Sequence, residues 1–206
     1  MDTKQHWEKI FSSKKPEEMS WTQTDASRSI ELLGLAGVGP DSRIIDVGSG
    51  ETVLIGQLVK LGFKHLTVLD ISANAIETAK ANLGSSGKGI EWIVSDVLTA
   101  ELPQNHFDLW HDRAVFHFIT EKGQRESYVA KIGRSLKPGG FAVIATFSLS
   151  GPEKCSGLPV MRYSCDTLRS ELNKCGFELL KCVEETHATP WGKPQDFVYN
   201  LFRKTA

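Results

Sequence analysis

Apolar residues in this chain occur in short β-branched runs that alternate with stretches of helical spacing. Five runs predict buried strands, over residues 43–47, 66–69, 90–94, 107–110 and 141–147. Helices are predicted between them, over residues 53–61, 73–83 and 124–136. Strands this apolar, alternating with helices, indicate a parallel sheet that is covered on both faces.

The last part of the chain has a different pattern. Residues 177–186 and 196–203 are two extended runs around a Pro- and Gly-containing turn, and they predict a closing antiparallel hairpin. The pattern as a whole predicts an α/β fold, with a doubly wound seven-stranded, mostly parallel sheet, a C-terminal antiparallel hairpin and helices on both faces. We expect residues 1–206 to form a single domain, with residues 1–25 as an N-terminal arm outside the alternation.

Composition narrows the range of partners. The chain has 206 residues, of which 40% are hydrophobic, enough for a core without metal or disulfide staples. A net charge of −1 gives no general reason to expect nucleic acid or an anionic membrane as a partner. The N-terminus lacks the apolar core of a signal peptide, and no apolar run is long enough to span a membrane. We therefore expect a cytoplasmic protein, as a monomer or weak dimer.

The four cysteines lack the two-residue spacing of a zinc ligand or redox motif. They stand at Cys155, Cys165, Cys175 and Cys182. We expect them to be reduced thiols, mostly buried as small apolar residues, and we expect no metal site.

The first predicted strand ends in a glycine turn typical of nucleotide binding. Gly48 and Gly50 allow the backbone to approach a ligand closely, and Asp70, about 20 residues on, stands where an acid would hold ribose hydroxyls. Val53 replaces the third glycine of a dinucleotide fingerprint. The carboxylate of Asp46, just before the turn, disfavours a pyrophosphate and favours a cationic ligand. S-adenosylmethionine, with a sulfonium, an ammonium and no phosphate, fits this charge pattern.

Five segments resemble, in order, the motifs of class I S-adenosylmethionine-dependent methyltransferases. They are residues 45–50 (IDVGSG), 68–72 (VLDIS), 94–97 (VSDV), 107–112 (FDLWHD) and 136–140 (LKPGG). The resemblance covers roughly residues 43–147, about half of the chain. One departure is Glu51-Thr52, where many members have a further glycine at the second position, and this departure leaves the loop conformation open.

The resemblance implies a cofactor site at the carboxyl edge of the sheet. The residues it assigns there are Trp21, Asp46, Gly48, Ser49, Gly50, Asp70, Ile71, Asp96, Val97 and His111. Asp46 would balance the positive charge, Asp70 would accept the ribose hydroxyls, and Asp96 would accept the adenine amine. Ile71 would pack on the adenine, the Val97 amide would lie nearby, and His111 would offer backbone to the methionine end. Trp21 resembles the capping residue of an arm folded over the site; an aromatic staple on the flank of the sheet is the alternative.

Residues 110–118 carry the densest chemistry after the fourth predicted strand. If a helical turn follows, Arg113 and His117 share a face, so Arg113 could anchor an acidic acceptor. His111 and His117 are the candidates for taking the acceptor's proton, but in-line positioning alone supplies much of the acceleration, so the catalytic residue stays unassigned. The alternative is structural: Arg113 pairs with Asp112 or Glu121, and His117 packs under the sheet edge.

Residues 148–163 form a Gly- and Pro-containing segment and are a candidate lid over the acceptor. Further candidates for acceptor binding are Arg162, Tyr163 and His187, each of which could instead be structural.

The sequence thus predicts an enzyme that transfers a methyl group in line from S-adenosylmethionine to a nucleophile on a small molecule. The basic, His-containing segment after the fourth strand favours an anionic acceptor. A protein lysine methyltransferase is the alternative enzyme, and a catalytically silent cofactor-binding interaction module is the alternative of another class. A nicotinamide-dependent oxidoreductase is disfavoured by Asp46 and by the missing third glycine.

Overall fold

The computed structural model describes residues 3–50 and 53–205. The six α-helices are α1 Thr3–Ser13, α2 Ser27–Leu35, α3 Val53–Lys60, α4 Ala73–Leu83, α5 Lys122–Ser135 and α6 Cys165–Asn173. The nine strands are β1 Arg43–Val47, β2 His65–Asp70, β3 Glu91–Val94, β4 Phe107–Arg113, β5 Leu136–Phe147, β6 Lys154–Cys155, β7 Leu158–Pro159, β8 Phe177–Ala188 and β9 Pro194–Lys204. Glu51-Thr52, the departure from the methyltransferase motif, lies outside the described residues.

Seven of the strands form one sheet in the order β3-β2-β1-β4-β5-β9-β8. The first five are parallel, and β9 runs antiparallel to both β5 and β8. The predicted fold, including its C-terminal antiparallel hairpin, is confirmed. Because β1 and β4 are neighbours although β2 and β3 lie between them in the chain, the connections leave these two strands in opposite directions. Ligands bind at such a switch point in open α/β sheets.

Each face of the sheet has its own apolar core, since successive side chains of a strand point to opposite faces. On β4, Leu109 belongs to the core formed with α2 and α3, and Trp110 belongs to the core formed with α5 and α6. Both side chains are fully buried. This alternation places His111 and Arg113 on the α2 side and Asp112 on the α5 side.

Several elements differ from the sequence prediction. Helices α1, α2 and α6 were not predicted, and α1 has no fully buried residue. Strand β4 continues three residues past Trp110, to Arg113, and the turn predicted at residues 137–140 lies within β5, where the pairing register with β4 shifts. Gly140 fits this irregularity because an added Cβ would stand 2.9 Å from the Lys137 carbonyl oxygen. Within residues 3–50 and 53–205, no helix combines the length and apolarity needed to cross a bilayer.

The expectation of four reduced cysteines is wrong. Cys165, at the start of α6, forms a disulfide with Cys182 on β8, whereas Cys155 is a buried free thiol and Cys175 an exposed one. The Cα atoms of the bonded pair are 6.0 Å apart, an ordinary separation for a disulfide. No cysteine spacing indicates this pair, because α6 packs on β8 only in the folded chain.

The disulfide can be tested by thiol counting in denaturant. We expect two titratable thiols without reductant, from Cys155 and Cys175, and four after reduction. The double variant Cys165→Ala/Cys182→Ala should lose about 2–4 kcal/mol of unfolding free energy in urea, because the disulfide restricts the unfolded chain. The Cys175→Ala control should change it by less than about 0.5 kcal/mol. Four thiols without reductant would contradict the assignment.

Candidate functional site

A cavity of about 280 Å³ lies at the carboxyl ends of β1, β2 and β4, at the switch point of the sheet. All ten residues predicted to hold the cofactor line it: Trp21, Asp46, Gly48, Ser49, Gly50, Asp70, Ile71, Asp96, Val97 and His111. The structure therefore brings together residues that are spread over 91 positions of the chain, from position 21 to position 111. Whether each contacts a cofactor stays a prediction.

The glycine turn is in tight contact with the segment after β4. Gly48 has a φ of 65° and donates a 2.7 Å hydrogen bond to the Leu69 carbonyl. A Cβ added at Gly48 would stand 2.0 Å from Val115 Cγ2, a distance that no side chain can occupy. The Ser49 hydroxyl beside it is buried and has no hydrogen-bond partner. The turn thus presents backbone and one unpaired hydroxyl to the cavity.

Asp70 stands at the end of β2 with its side chain held by the two neighbouring loops. Its carboxylate accepts hydrogen bonds from the amides of Ser72 at 2.9 Å and Gly50 at 3.3 Å. Burial raises the pKa of Asp70 to about 6; the two amides act in the opposite direction, and the carboxylates of Asp46 and Glu8 add to the rise. A ligand that donates hydrogen bonds here would stabilise the ionised form.

Asp96 is half-buried in the turn after β3. Its Oδ1 accepts a 2.8 Å hydrogen bond from the Leu98 amide, as a turn aspartate does. The same residue also lines the cavity. A structural role and the predicted contact with a ligand are therefore compatible, since a carboxylate has a second oxygen to offer.

Asp46 and His111 face each other across β1 and β4, where they are register partners. His111 Nδ1 donates to Asp46 Oδ1 at 2.7 Å, and its Nε2 lies 2.9 Å from the hydroxyl of Ser29 on α2. Both ring nitrogens of His111 are therefore engaged, Nδ1 by the Asp46 carboxyl group and Nε2 by the Ser29 hydroxyl. All three side chains are buried, so this chain of hydrogen bonds fixes the orientation of the Asp46 carboxylate.

Helix α1 lies over this edge of the sheet and is attached to α4 through one side chain. The Glu8 carboxylate accepts hydrogen bonds of 2.8–3.2 Å from the amides of Ala73 and Asn74 and from the side chains of Ser72 and Asn74. Burial opposes the ionisation of Glu8, but these bonds outweigh it and lower its pKa. The donors are at the start of a helix, where amides lack partners within the helix.

Aromatic side chains from the first 25 residues cover the cavity. Trp7 has ring contacts with Trp21 (centroids 5.8 Å apart) and with Phe118 (5.1 Å), and Phe11 lies against Trp21. A Cβ added at Gly50 would be 3.7 Å from Phe11, so the arm rests directly on the glycine turn. We call Trp7, Phe11 and Trp21 the aromatic roof.

Arg113 also lines the cavity, but it does not share a helical face with His117, because β4 continues through Arg113. Its guanidinium donates to the Tyr199 hydroxyl (2.9 Å) and the Trp21 carbonyl (3.0 Å), and it stacks 4.5 Å from the Phe197 ring centroid. The alternative in which Arg113 pairs with Asp112 or Glu121 is not what the structure shows. Asp112 instead accepts hydrogen bonds from the Val115 and Phe116 amides and the Tyr128 hydroxyl on the other face of the sheet.

The other candidates for acceptor binding surround the cavity without lining it. His117 is fully buried, with Nδ1 accepting the Phe147 amide, and burial, with a smaller effect of Arg113, lowers its pKa to about 3. Tyr163 is buried against Phe116. His187 bonds the Ser20 carbonyl at 2.8 Å. Arg162 bonds Glu153 and the carbonyls of Leu149 and Gly151, and so ties down residues 148–163.

Sequence reasoning missed six residues that shape the site: Trp7, Glu8, Phe11, Ser29, Val115 and Cys155. Trp7 and Phe11 are four residues apart, and this spacing could have indicated the helix that carries them. Nothing in the sequence connects Ser29 with His111, which is 82 positions away. Cys155 reaches the cavity from the hairpin of β6 and β7, within the segment predicted to be a lid. In the described part of the chain, no group of His, Cys, Asp or Glu is arranged to hold a metal ion.

The contact between Gly48 and Val115 can be tested by substitution. Gly48→Ala should cost about 2–4 kcal/mol of unfolding free energy and abolish S-adenosylhomocysteine binding, because the new Cβ meets Val115. Gly37→Ala is the matched control: its φ is 70°, but nothing lies within 4 Å, so it should cost only about 1 kcal/mol. Adding Val115→Ala to Gly48→Ala should restore part of the loss. Equal effects of the two glycine substitutions, measured in urea, would contradict the contact.

Comparisons with known proteins agree with this geometry. Residues 44–140 match the family model of a methyltransferase domain. The chain is 24% identical to the human EEF1A lysine methyltransferase 2 over 160 residues, which cover 71% of this chain and 68% of that one. It is 29% identical over 104 residues to an uncharacterised methyltransferase of Mycobacterium tuberculosis, and spans only half the length of that relative.

Two solved structures share the fold over nearly the whole chain. One, from work on the conversion of a disulfide bond into a thioacetal group during echinomycin biosynthesis, has a TM-score of 0.80 at 20% identity, covering 99% of this chain and 93% of that chain. The other is the N-methyltransferase NodS of Bradyrhizobium japonicum in complex with S-adenosylhomocysteine, with a TM-score of 0.75 at 20% identity and complete coverage of both chains. The matched domain, the strand order and the cavity over the glycine turn together identify residues 44–140 as a methyltransferase domain with the class I, Rossmann-like fold.

Proposed function

We propose that the protein transfers a methyl group from S-adenosylmethionine to a nucleophile on a small molecule. The observation that carries the small-molecule part of this proposal is the aromatic roof. Trp7, Phe11 and Trp21 cover the cavity, and Glu8 fastens the helix beneath them to α4. An acceptor that reacts under this cover has to fit into a cavity of about 280 Å³, which favours a small molecule over a protein surface.

The residues of the cavity suit the cofactor. Gly48 and Gly50 present backbone to the cavity, and the buried Ser49 hydroxyl lacks a partner that a polar ligand would supply. Asp70 and Asp96 would hold the adenosine hydroxyls and amine. The buried, oriented carboxylate of Asp46 would face the positively charged methionine end. These acids balance the charge of a cation and would repel a pyrophosphate.

When bound, the cofactor supplies a methyl group whose bond to the sulfonium sulfur breaks as the acceptor's lone pair reaches carbon, and the electron pair stays on sulfur. The chain's own contribution is to orient and to exclude water. Asp46 is held by His111 and Ser29, and the aromatic roof closes the space above the glycine turn. Holding the reacting atoms in line accounts for much of the acceleration in such a transfer.

Protein lysine methylation is the second candidate function. It is favoured by the aromatic rings around the cavity, which attract ammonium groups, and by the activity named for the human relative. Arg113 argues against it, since a guanidinium within the cavity repels a lysine ammonium.

Calorimetry and methyl labelling test the proposed function together. S-adenosylmethionine and S-adenosylhomocysteine should bind with micromolar affinity, and NAD should not bind. With methyl-labelled S-adenosylmethionine and a lysate of the cells that encode the protein, label should appear in the small-molecule fraction. Label confined to protein would support the lysine alternative. Cofactor binding with no labelled product would indicate a silent binding module, and no binding would refute the cofactor assignment.

The raised pKa of Asp70 predicts how cofactor binding depends on pH. The ribose hydroxyls donate to the ionised carboxylate, so binding lowers the pKa of Asp70 from its value of about 6. S-adenosylhomocysteine affinity should therefore rise from pH 5 to pH 7, by at most about tenfold per pH unit. Asp70→Asn should bind weakly with a flat profile, and the exposed Asp41→Asn should behave as wild type. A slope that persists in Asp70→Asn would contradict this role.

A further inference from the structure

Arg113 differs from the other charged residues of the cavity in the sign of its charge and in its position in the sheet. The described residues that line the cavity include three carboxylates, Asp46, Asp70 and Asp96, and Arg113 is the one Lys or Arg among them. The acids stand at or after the ends of β1, β2 and β3, on one side of the switch point. Arg113 stands at the end of β4 and contacts β9 through Phe197 and Tyr199, on the other side.

The guanidinium of Arg113 is held in one orientation with donors to spare. Tyr199 binds Nε, the Trp21 carbonyl binds Nη1, and the Phe197 ring lies against the plane of the group. These contacts use two of the five N–H donors of a guanidinium. Nη2 is buried and has no hydrogen-bond partner. A buried donor of this kind costs free energy unless a ligand pairs with it.

The surroundings of Arg113 also lack a compensating negative charge. Within the part of the chain that the structure describes, no carboxylate forms an ion pair with it. Three titratable neighbours, His117, His187 and Cys155, have pKa values shifted toward their neutral forms. Burial, with Arg113 in support, lowers the pKa of His117 and His187; burial also raises the pKa of Cys155 to about 11. A partly buried cation with no counter-ion and one buried, unpaired N–H group is stabilised when an anion binds it.

We propose that Arg113 binds the methyl acceptor, and that the acceptor is a small organic anion, a carboxylate in its simplest form, with an apolar body. This inference rests on the proposed function and names its substrate class. The Phe147 and Phe197 rings, 4.8 Å apart, line the same end of the cavity and suit the apolar part. The anionic group is the anchor and not the methylated atom, since lone pairs engaged by a guanidinium are poor nucleophiles. The product therefore keeps its negative charge.

The cofactor's own carboxylate is the rival ligand for Arg113. The acceptor and the methionine carboxylate, as ligands of Arg113, predict different effects on cofactor affinity when Arg113 is replaced. If Arg113 binds the acceptor, its removal weakens acceptor use and leaves S-adenosylhomocysteine binding intact. If it binds the methionine carboxylate, its removal weakens S-adenosylhomocysteine but not 5′-methylthioadenosine, which has no amino acid portion.

The experiment combines labelling with calorimetry on the full chain. A deproteinised extract of the cells that encode the protein is incubated with wild-type protein and methyl-labelled S-adenosylmethionine, and the products are passed over an anion exchanger at pH 8. We expect the label to be retained and to elute with salt. Arg113→Gln should lower labelling at limiting extract by about 100-fold while the Kd for S-adenosylhomocysteine changes less than about threefold. Arg113→Lys, which keeps the charge, should give labelling between that of the wild type and that of Arg113→Gln.

Arg169→Gln is the matched control, because it removes an exposed guanidinium on α6 that does not line the cavity, and it should change labelling by less than about threefold. Several results would overturn the inference: label in the flow-through, an equal loss in Arg169→Gln, or a tenfold loss of S-adenosylhomocysteine affinity in Arg113→Gln with 5′-methylthioadenosine unaffected. A wild-type protein that binds S-adenosylhomocysteine but labels no small molecule would instead refute the proposed acceptor class itself.

Discussion

The parallel pairing of β1 with β4 is the constraint on which the rest of the site depends. It sets Asp46 opposite His111 in the sheet, and the hydrogen bond between them joins two strands that are separated by two strand–helix units in the chain. Because both side chains are buried, neither can leave this pair without exposing an unpaired polar group to an apolar core. Ser29 completes the pair from α2, so a helix, and not only the sheet, determines where the Asp46 carboxylate points.

From this pair the charges of the site are arranged by strand order alone. Carboxylates stand at or just after the ends of β1, β2 and β3 on one side, and a guanidinium stands at the end of β4 on the other. The two faces of the sheet then carry different parts of the site. Arg113 and His111 look toward the cavity side, whereas Asp112, between them in sequence, turns to the opposite face and binds the amides of Val115 and Phe116. Because side chains alternate along a strand, His111 and Arg113 line the cavity, whereas Asp112 binds the turn after β4.

The parts predicted from sequence are those where a local pattern determines the structure. Strand β1 and helix α4 have the predicted bounds, since a β-branched run and an amphipathic stretch each determine their own geometry. The ten proposed cofactor residues come from the resemblance to methyltransferase motifs. Because the carboxyl ends of parallel strands meet at one edge, all of them except Trp21, on the arm, are expected in one region.

What was missed depends on contacts between distant segments. Trp7 and Phe11 form the face of α1 that lies over the cavity. In the sequence they are ordinary surface aromatics, because the hydrogen bonds from the start of α4 to Glu8, which hold α1 in place, have no local signal. The disulfide between Cys165 and Cys182 depends on how α6 packs on β8. Arg113 and His117 have helical spacing in the sequence, yet the strand runs on through Arg113 and separates them. Hydrogen-bond chains such as Asp46–His111–Ser29 leave no local trace, because every member is also an ordinary residue of its own element.

The close approach of Val115 to Gly48 has a consequence for inheritance. The two positions are 67 residues apart, but they share a space that holds the Val115 methyl group and no second Cβ. The effect of a substitution at either position on stability therefore depends on which residue stands at the other. Among descendants of this sequence, the two positions should covary: any residue larger than glycine at position 48 should be accompanied by a smaller one at position 115.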